Sequence, residues 1–525
     1  MSGKLHLQLL SISILSSILL IVSWQPYSFT LVLLGAFIPL LFVEKKLRNT
    51  QKHAGWLFLY SFITFFTWNI GTTYWLWNAT VEGAYAAFTI NTLLMCLPVL
   101  VYHYYAKRVV AANAEWFFIV TWLSFEYLHH TWEFSWPWLS LGNAFAPYTW
   151  AIQWYEITGV MGGSFWVLFA NIKVFRLIDK WNENSQRINI SRAVNLLFFI
   201  GVAPLFLSWY VLNQYKQVGI PINVTVVQPN IDPYTDKFNG QTPQQQTQTL
   251  LKLATAASDS STRLICFPET ALQGGLDEKQ LVYEETVQQV KQFVGVHPNI
   301  SILSGADTYT VYPDADKTFS ARKYNDELYY DAFNTALLIN KSDSIQLYHK
   351  AKLVPGVESM PYQQALSFLG EAAINLGGTA GSLGRNTEAE NFDIDNNQWV
   401  APVICYESVF GEYVTEYVRK GAGLLCIVTN DGWWGNTPGH RQHFDYARLR
   451  AIETRRYIAR SANTGISGFI DDKGNVISET KWWVPDAQQA TLYYQTHLTF
   501  YVKYATYIEL LPVLLLLLAV LRGKK

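Results

Sequence analysis

The 525-residue sequence is short of cysteine and short of net charge, and each shortage removes a class of function. Its four cysteines are Cys96, Cys266, Cys405 and Cys426, and no two of them lie two to four residues apart, so no zinc motif is present. Lys and Arg number 39 against 40 Asp and Glu, which leaves a formal charge of −1 and none of the basic field that nucleic-acid binding needs. The glycine-rich residues 376–385 are not followed by Gly-Lys-Ser/Thr, which excludes a phosphate-binding loop. No internal repeat is visible, and the Gln-rich piece 241–248 is short enough to read as an exposed helix start.

What the sequence has in abundance is apolar runs and aromatic rings. The mean hydropathy of +0.09 averages two kinds of sequence. Apolar stretches fill residues 1–215 and the C-terminal segment, whereas residues 216–495 have the composition of a water-soluble domain. A span needs about 20 mainly apolar residues, and eight candidates lie near 6–23, 28–43, 55–77, 85–105, 116–136, 159–175, 194–213 and 500–521. The second is short, so the first two are expected to form a tight hairpin. Twenty Trp and 31 Tyr suit a protein with two membrane–water interfaces. Three domains follow: 1–215, a bundle of seven helices; 216–495, soluble; and 496–525, a last span with a short tail.

Positive charge orients the chain. The basic residues before 215 are Lys4, then Lys45, Lys46, Arg48 and Lys52, then Lys107 and Arg108, then Lys173, Arg176, Lys180, Arg187 and Arg192. The alternate loops 24–27, 78–84 and 137–158 have no Lys or Arg, and Arg522, Lys524 and Lys525 complete the alternation. Both termini are therefore expected in the cytoplasm, with residues 216–495 on the opposite side. Glu126, His129, His130 and Glu133 lie in or near the fifth candidate span. There they mark either a functional site or simple solvation at the interface.

Within the soluble block, β-branched runs at 221–229, 263–267, 299–305, 332–340, 401–405, 424–429 and 465–471 alternate with helical patterns at 244–258, 277–295 and 439–456. That alternation predicts an α/β layered fold. Cys266 and Cys426 fall in apolar strands and read as buried small hydrophobes. Cys405 is different: it ends a predicted strand and precedes Tyr406 and Glu407. A thiol attacks as its thiolate and needs a base. Glu269, after a strand and Pro268, is a candidate base. Lys350, before Leu353-Val354-Pro355, is a candidate oxyanion stabiliser. Glu358 is placed to orient that lysine. Each signal is weak alone, because a Cys after a strand is more often core, and a Lys or Glu is usually a solvated face.

Together, and in this order, the three settings resemble the nitrilase superfamily. More narrowly the chain resembles the apolipoprotein N-acyltransferases of Gram-negative bacteria. The motifs that carry the likeness are Val227-Gln228-Pro229-Asn230-Ile231, Phe267-Pro268-Glu269-Thr270, Lys350 through Leu353-Val354-Pro355 to Glu358, and Cys405-Tyr406-Glu407. Asn430-Asp431-Gly432-Trp433-Trp434-Gly435, Arg460 through Asn463-Thr464-Gly465, and Trp136-Pro137-Trp138-Leu139 add to it. The resemblance implies an α-β-β-α sandwich beside eight transmembrane helices in the inner membrane, with the sandwich in the periplasm. It makes Glu269 the base, Lys350 the oxyanion stabiliser and Cys405 the nucleophile, with Glu358, Tyr406, Glu407, Trp433 and Trp434 in support. The family's functional Trp after the first strand corresponds here to Phe238, with one extra residue before it. The family's Phe-Gly before the second Glu corresponds to Gly356-Val357.

The implied reaction moves a fatty acyl chain from a membrane phospholipid, through a Cys405 thioester, to the α-amine of a diacylglyceryl-cysteine at a lipoprotein N-terminus. No metal or organic cofactor is implied, and a monomer is expected. Two competing readings are a membrane-attached amidase using water as acceptor and a lipid-binding membrane protein with an inert domain. Residues 376–385, just upstream of Cys405, are expected to act either as a mobile lid or as a passive surface loop. The charge pattern generates a direct test of topology. A reporter fused near residue 215 is expected to behave as exported and one near residue 180 as cytoplasmic; the reverse result sinks the assignment.

Overall fold

The apolar runs form helices, but not always where hydropathy alone places them. The computed structural model describes residues 2–109, 111–184, 190–234, 240–362, 382–395 and 397–522. Residues divide into two units, Met1–Tyr215 with Tyr504–Lys525, and Lys216–Lys503.

In the first unit five helices among the described residues are long and apolar enough to cross a membrane: Gly3–Val22, Val81–Ala106, Tyr155–Trp181, Ala193–Gln214 and Phe500–Leu521. Ala54–Thr73 and Ala111–Thr131 have the length but carry Asn, Trp, Tyr and His that lower their hydropathy. The candidate at 28–43 is not one helix. It is a short tight turn of helix, Thr30–Gly35, then a 12-residue helix, Ile38–Asn49, of which Arg48 and Lys46 form the last turn. Twelve residues rise only about 18 Å, less than the hydrocarbon core. The break survives because its backbone is satisfied by protein: Asn171 Oδ1 accepts from Phe37 N at 2.8 Å and Asn171 Nδ2 donates to Leu33 O at 2.8 Å. The ionisable groups of the fifth candidate are likewise partnered. Glu126 accepts from Leu141 N at 3.0 Å and from Trp122 at 3.1 Å, and His130 Nδ1 meets Glu509 of the C-terminal helix at 3.0 Å.

Among the described residues the second unit has 14 strands. They are β1 Ile220–Gln228, β2 Thr262–Cys266, β3 Leu272–Asp277, β4 Ser301–Pro313, β5 Arg322–Lys323, β6 Leu328–Ile339, β7 Gln346–His349, β8 Phe392–Asp393, β9 Trp399–Ile404, β10 Leu424–Thr429, β11 Ile458–Ala462, β12 Gly468–Ile470, β13 Val476–Glu479 and β14 Asp486–Tyr494. One sheet runs β14-β1-β2-β4-β6-β5, with β3 on β4 and β7 on β6; the other runs β13-β12-β11-β10-β9-β8. β1, β2 and β4 are parallel, as are β9, β10 and β11. Buried Val, Ile and Leu on both faces of these strands are what a sheet covered on both sides requires.

Helices Pro243–Ala257 and Glu285–Val296 cover the first sheet, with Leu250, Ala254, Val287, Val290 and Val294 packed on Val227, Ile265, Phe267 and Leu337. The first of these helices starts where the Gln-rich piece reads as a helix start. Thr242 Oγ1 accepts from Gln245 N at 3.2 Å and the Gln245 side chain accepts from Thr242 N at 3.0 Å, a reciprocal cap. Helices Gly411–Arg419 and Pro438–Thr454 cover the second sheet. Ser461 Oγ ties the two sheets by donating to Val227 O at 2.7 Å. The result is the helix–sheet–sheet–helix sandwich expected from the motifs. β14, rich in Gln, shows no apolar run in the sequence and owes its place to its antiparallel register with β1.

One glycine sets how closely β4 approaches the turn after β2. A Cβ at Gly305 would lie 2.5 Å from Thr270 N and 2.6 Å from Glu269 Cα. Gly305→Ala is therefore expected to push that turn outward and cost about 1–3 kcal/mol, as overpacking does. A thermal-unfolding midpoint equal to the parent's would show that the turn yields freely.

Candidate active site

Three strand ends of the sandwich present the candidate residues, and each is fixed by backbone hydrogen bonds. After β2, Phe267 N donates to Leu303 O at 2.8 Å and Gly305 N donates to Pro268 O at 3.1 Å, so the Pro268–Glu269 turn is laced to β4. Thr270 takes φ +46° and completes that turn. At the end of β7, Lys350 N donates to Asn334 O at 2.8 Å, which continues the pairing with β6 by one residue. At the end of β9 the chain turns at once into the short helix Cys405–Val409, with Cys405 at φ +48°. A cysteine in that left-handed region is unfavourable by roughly 1–3 kcal/mol and persists only where the surroundings enforce it.

The side chains converge. Lys350 Nζ donates to Glu269 Oε1 at 3.1 Å and to Glu358 Oε1 at 2.9 Å. Asn334 Nδ2 donates to the same two oxygens at 2.8 and 3.0 Å. The two carboxylates therefore face each other across two shared donors. Glu358 also accepts from Val354 N at 2.8 Å through Oε2, closing the loop that begins at Lys350. Gly356 in that loop has φ +80°, a conformation that costs glycine nothing, so the departure at Gly356-Val357 fits the turn. Lys350 is 1% exposed. Burial opposes its charge, but Glu269, Glu358 and Cys405 outweigh burial and hold the ammonium well above its usual pKa.

Glu407 joins two of these strand ends. Its Oε1 accepts from Ala351 N at 2.7 Å and from Tyr348 Oη at 2.6 Å. Its Oε2 accepts from Ile404 N at 2.8 Å and Tyr417 Oη at 3.1 Å. One buried carboxylate thus pins both the residue after Lys350 and the residue before Cys405. Tyr406 is buried edge-on against Phe410, with ring centroids 5.1 Å apart.

Cys405 is partly exposed and unpaired. Burial raises its thiol pKa most, Glu269 raises it further, and Lys350 pulls against them; the net effect is a thiol well above its usual value. At rest the Cys405 side chain is therefore a protonated thiol. Cys266 and Cys426 are buried and free, and each touches the other's thiol across the two sheets.

A cavity of about 750 Å³ adjoins these groups, and Glu269, Asn334, Glu358, Asn430 and Trp433 stand on its wall beside the rings of Tyr309, Tyr324, Tyr330 and Phe333. Lys350 and Cys405 are set back from that wall. Trp433 is held by Tyr234, whose hydroxyl donates to Trp433 O at 2.8 Å. Trp434 does not line the cavity; it packs against His443 with centroids 5.5 Å apart. Phe238 lies outside the described residues, as do positions 376–381 of the expected lid. Asn334 escaped the sequence reading, although a lone amide inside the apolar run Ala332–Ile339 is the kind of signal that marks it. Among the described residues no cluster of His, Cys, Asp or Glu is arranged to hold a metal.

Comparison with known proteins places the chain in a family. Residues 223–497 match the carbon-nitrogen hydrolase family, and residues 16–173 match the apolipoprotein N-acyltransferase N-terminal domain. An apolipoprotein N-acyltransferase of Chlorobaculum tepidum is 30% identical over 475 residues, covering 89% of this chain and 86% of that one. One from Thermotoga maritima is 25% identical over 541 residues, covering 98% and 95%. Among solved structures, an amidase from Nesterenkonia sp. aligns with 53% of this chain and 93% of its own at 14% identity and a TM-score of 0.35. With a relative at that identity across nearly its whole length and both halves of the chain matched, the chain belongs to the apolipoprotein N-acyltransferase family.

Proposed function

We propose that the protein transfers a fatty acyl chain from a membrane phospholipid to the α-amine of a lipoprotein's N-terminal diacylglyceryl-cysteine, with Cys405 carrying the chain as a thioester between the two steps. The observation that carries this reading is the buried Lys350 shared between Glu269 and Glu358, set against a cysteine on a left-handed turn. In the first step Glu269 takes the Cys405 proton as the sulfur attacks the ester carbonyl. Lys350 stabilises the oxyanion that forms, because it is a donor already fixed in a site of low dielectric. The C–O bond then breaks, and Glu269 returns the proton to the leaving glycerol oxygen, releasing a lysophospholipid. In the second step the lipoprotein amine attacks the thioester, the C–S bond breaks, and the amine proton passes through Glu269 to the thiolate.

Glu358, Asn334 and Glu407 hold the reacting groups in place. Glu358 and Asn334 fix the position of Glu269 and Lys350, and Glu407 locks the Lys350 loop to the Cys405 turn. Trp433 and the tyrosines of the cavity supply an apolar wall for a lipid chain and exclude water from the thioester. We assign the catalytic unit to the periplasmic side of the inner membrane, on the alternation of basic loops. We also assign eight membrane crossings, counting Ala54–Thr73, Ala111–Thr131 and the broken segment 28–49 with the five long apolar helices.

The defining experiment is mass spectrometry of the protein after incubation with phospholipid. Cys405→Ala is expected to lose both the acyl adduct and product formation, and Cys405→Ser to be nearly inactive, since a hydroxyl is far less acidic than a thiol. Lys350→Ala is expected to slow acylation about 100- to 1,000-fold, and Glu269→Gln about 100- to 10,000-fold. Cys266→Ala and Cys426→Ala are expected to keep activity apart from a loss of stability. Near-parental transfer by Cys405→Ala would overturn the mechanism.

The electrostatics add a sign test. Glu269 raises the thiol pKa and Lys350 lowers it. The pH midpoint for alkylation of Cys405 should therefore fall in Glu269→Gln and rise in Lys350→Ala. Shifts in the same direction would contradict the assigned surroundings of the thiol.

A further inference from the structure

Behind Cys405 lies a second cluster of titratable groups that the mechanism leaves unused. Asp431, in the turn after β10, accepts from Thr429 Oγ1 at 2.8 Å and from Arg460 Nη2 of β11 at 2.6 Å. Burial works against its charge, but Arg460 and His443 overcome burial and keep it ionised. His443, on the helix Pro438–Thr454, places Nδ1 at 2.9 Å from Asp431 Oδ1. Its Nε2 lies 3.0 Å from Ser408 Oγ and 3.2 Å from the Cys405 carbonyl oxygen. Ser408 Oγ donates to that same carbonyl oxygen at 2.7 Å. His443, Asp431, Arg460 and Ser408 are all fully buried.

Counting hydrogens leaves two arrangements. Asp431 Oδ1, which only accepts, lies 2.9 Å from Nδ1, nearer than the Arg460 Nη2 donor at 3.2 Å, so Nδ1 carries a hydrogen in either case. A hydroxyl has one hydrogen to give. When Ser408 spends it on the Cys405 carbonyl, Nε2 faces two acceptors and must also carry a hydrogen, which makes His443 an imidazolium. When His443 is neutral, Nε2 is an acceptor, the Ser408 hydrogen turns toward it, and the Cys405 carbonyl loses both donors. The two arrangements differ by one proton. Their effect falls on the peptide that holds Cys405 at φ +48°.

We propose that His443 is a positioning residue for the Cys405 nucleophile: as an imidazolium it keeps the Ser408 hydroxyl on the Cys405 carbonyl and adds its own Nε2–H, and as a neutral ring it draws that hydroxyl away. This rests on the reading of Cys405 as the acyl carrier. The charged and titratable groups facing the imidazole are Asp431, which favours the proton, Arg460, whose Nη2 is 3.2 Å from Nδ1, and the Cys405 residue itself. Arg450 of the same helix donates to Ser408 O at 3.3 Å and Val409 O at 2.8 Å, and the buried Glu407 carboxylate lies on the same turn. Burial and Arg460 together leave the imidazole below its usual pKa despite Asp431. The imidazolium arrangement is therefore favoured as pH falls and is lost as pH rises.

The test uses the full-length protein in phosphatidylethanolamine vesicles, following the rate of acyl-adduct formation on Cys405 from pH 5 to pH 8. Ser408→Ala removes one donor from the carbonyl and is expected to lower the maximal acylation rate about tenfold, with half-saturation by lipid unchanged, as a small misplacement of a reacting group does. His443→Gln keeps a side-chain donor in the cleft and cannot titrate. The ratio of parental to His443→Gln rate is therefore expected to fall about three- to tenfold as pH rises, with most of the fall at the acid end of the range, since burial and Arg460 hold the imidazole below its usual value. The thiol's own titration cancels in that ratio. A flat ratio together with a parental rate for Ser408→Ala overturns the proposal. If one variant fails to accumulate in the membrane, the other decides. If the parent itself forms no adduct on Cys405, it is the functional reading that fails.

Discussion

A lysine that is 1% exposed is the constraint around which the catalytic unit is organised. An unpaired ammonium in a protein interior is too costly to persist, so Lys350 must have carboxylates beside it. It has two, and two carboxylates that close would repel each other without further donors. Asn334 resolves this by donating to the same oxygen of each. Every other feature of the site follows from keeping this four-group ring intact: the β7 end that delivers Lys350, the loop that returns Glu358, and the close pass of Gly305 under the Glu269 turn. Removing Lys350 leaves two buried carboxylates without a cation, which is why its loss should exceed that expected for a surface ion pair.

The ring has to be registered against the nucleophile, which comes from the other sheet. Glu407 provides that register. It is a single fully buried side chain accepting from backbone N–H groups on both sides, one following Lys350 and one preceding Cys405. Because each acceptor oxygen serves one sheet, rotating or shortening this side chain releases both halves of the site at once. The left-handed conformation at Cys405 has the same origin: the chain leaves β9 and must turn at once for Ile404 N to reach Glu407.

Much of this was legible in the sequence, for identifiable reasons. Runs rich in Val and Ile at 221–229, 401–405 and 424–429 gave the parallel strands, because strands buried on both faces need no polar alternation. Glu269 after a predicted strand, Cys405 at the end of one and Lys350 before an ordered turn were weak signals singly, and their likeness to the nitrilase superfamily is what joined them. Asn334 was missed since its importance comes from partners 65 and 24 residues away, which no local pattern displays. β14 was missed because its polar surface is stabilised by pairing with β1 and not by its own periodicity. The broken segment at 28–49 was misjudged for a related reason. Hydropathy registers how apolar a stretch is, and does not show that an asparagine 134 residues away in the chain satisfies the backbone where the helix breaks.

The high pKa of the Cys405 thiol is best understood with the second half of the reaction in view. A permanently ionised thiolate would attack readily, but it would also be a good leaving group and would release the acyl chain easily to any nucleophile, water included. Burial and Glu269 keep the sulfur protonated at rest. On the proposed mechanism, attack is then tied to the moment when Glu269 takes the proton, and departure to the moment when an amine supplies one. Lys350 lowers the cost of the charged intermediate in both directions, and it is fixed between Glu269 and Glu358 before either substrate arrives. On the proposed mechanism, the same carboxylate that makes the thiol reluctant at rest couples both its attack and its departure to the movement of one proton.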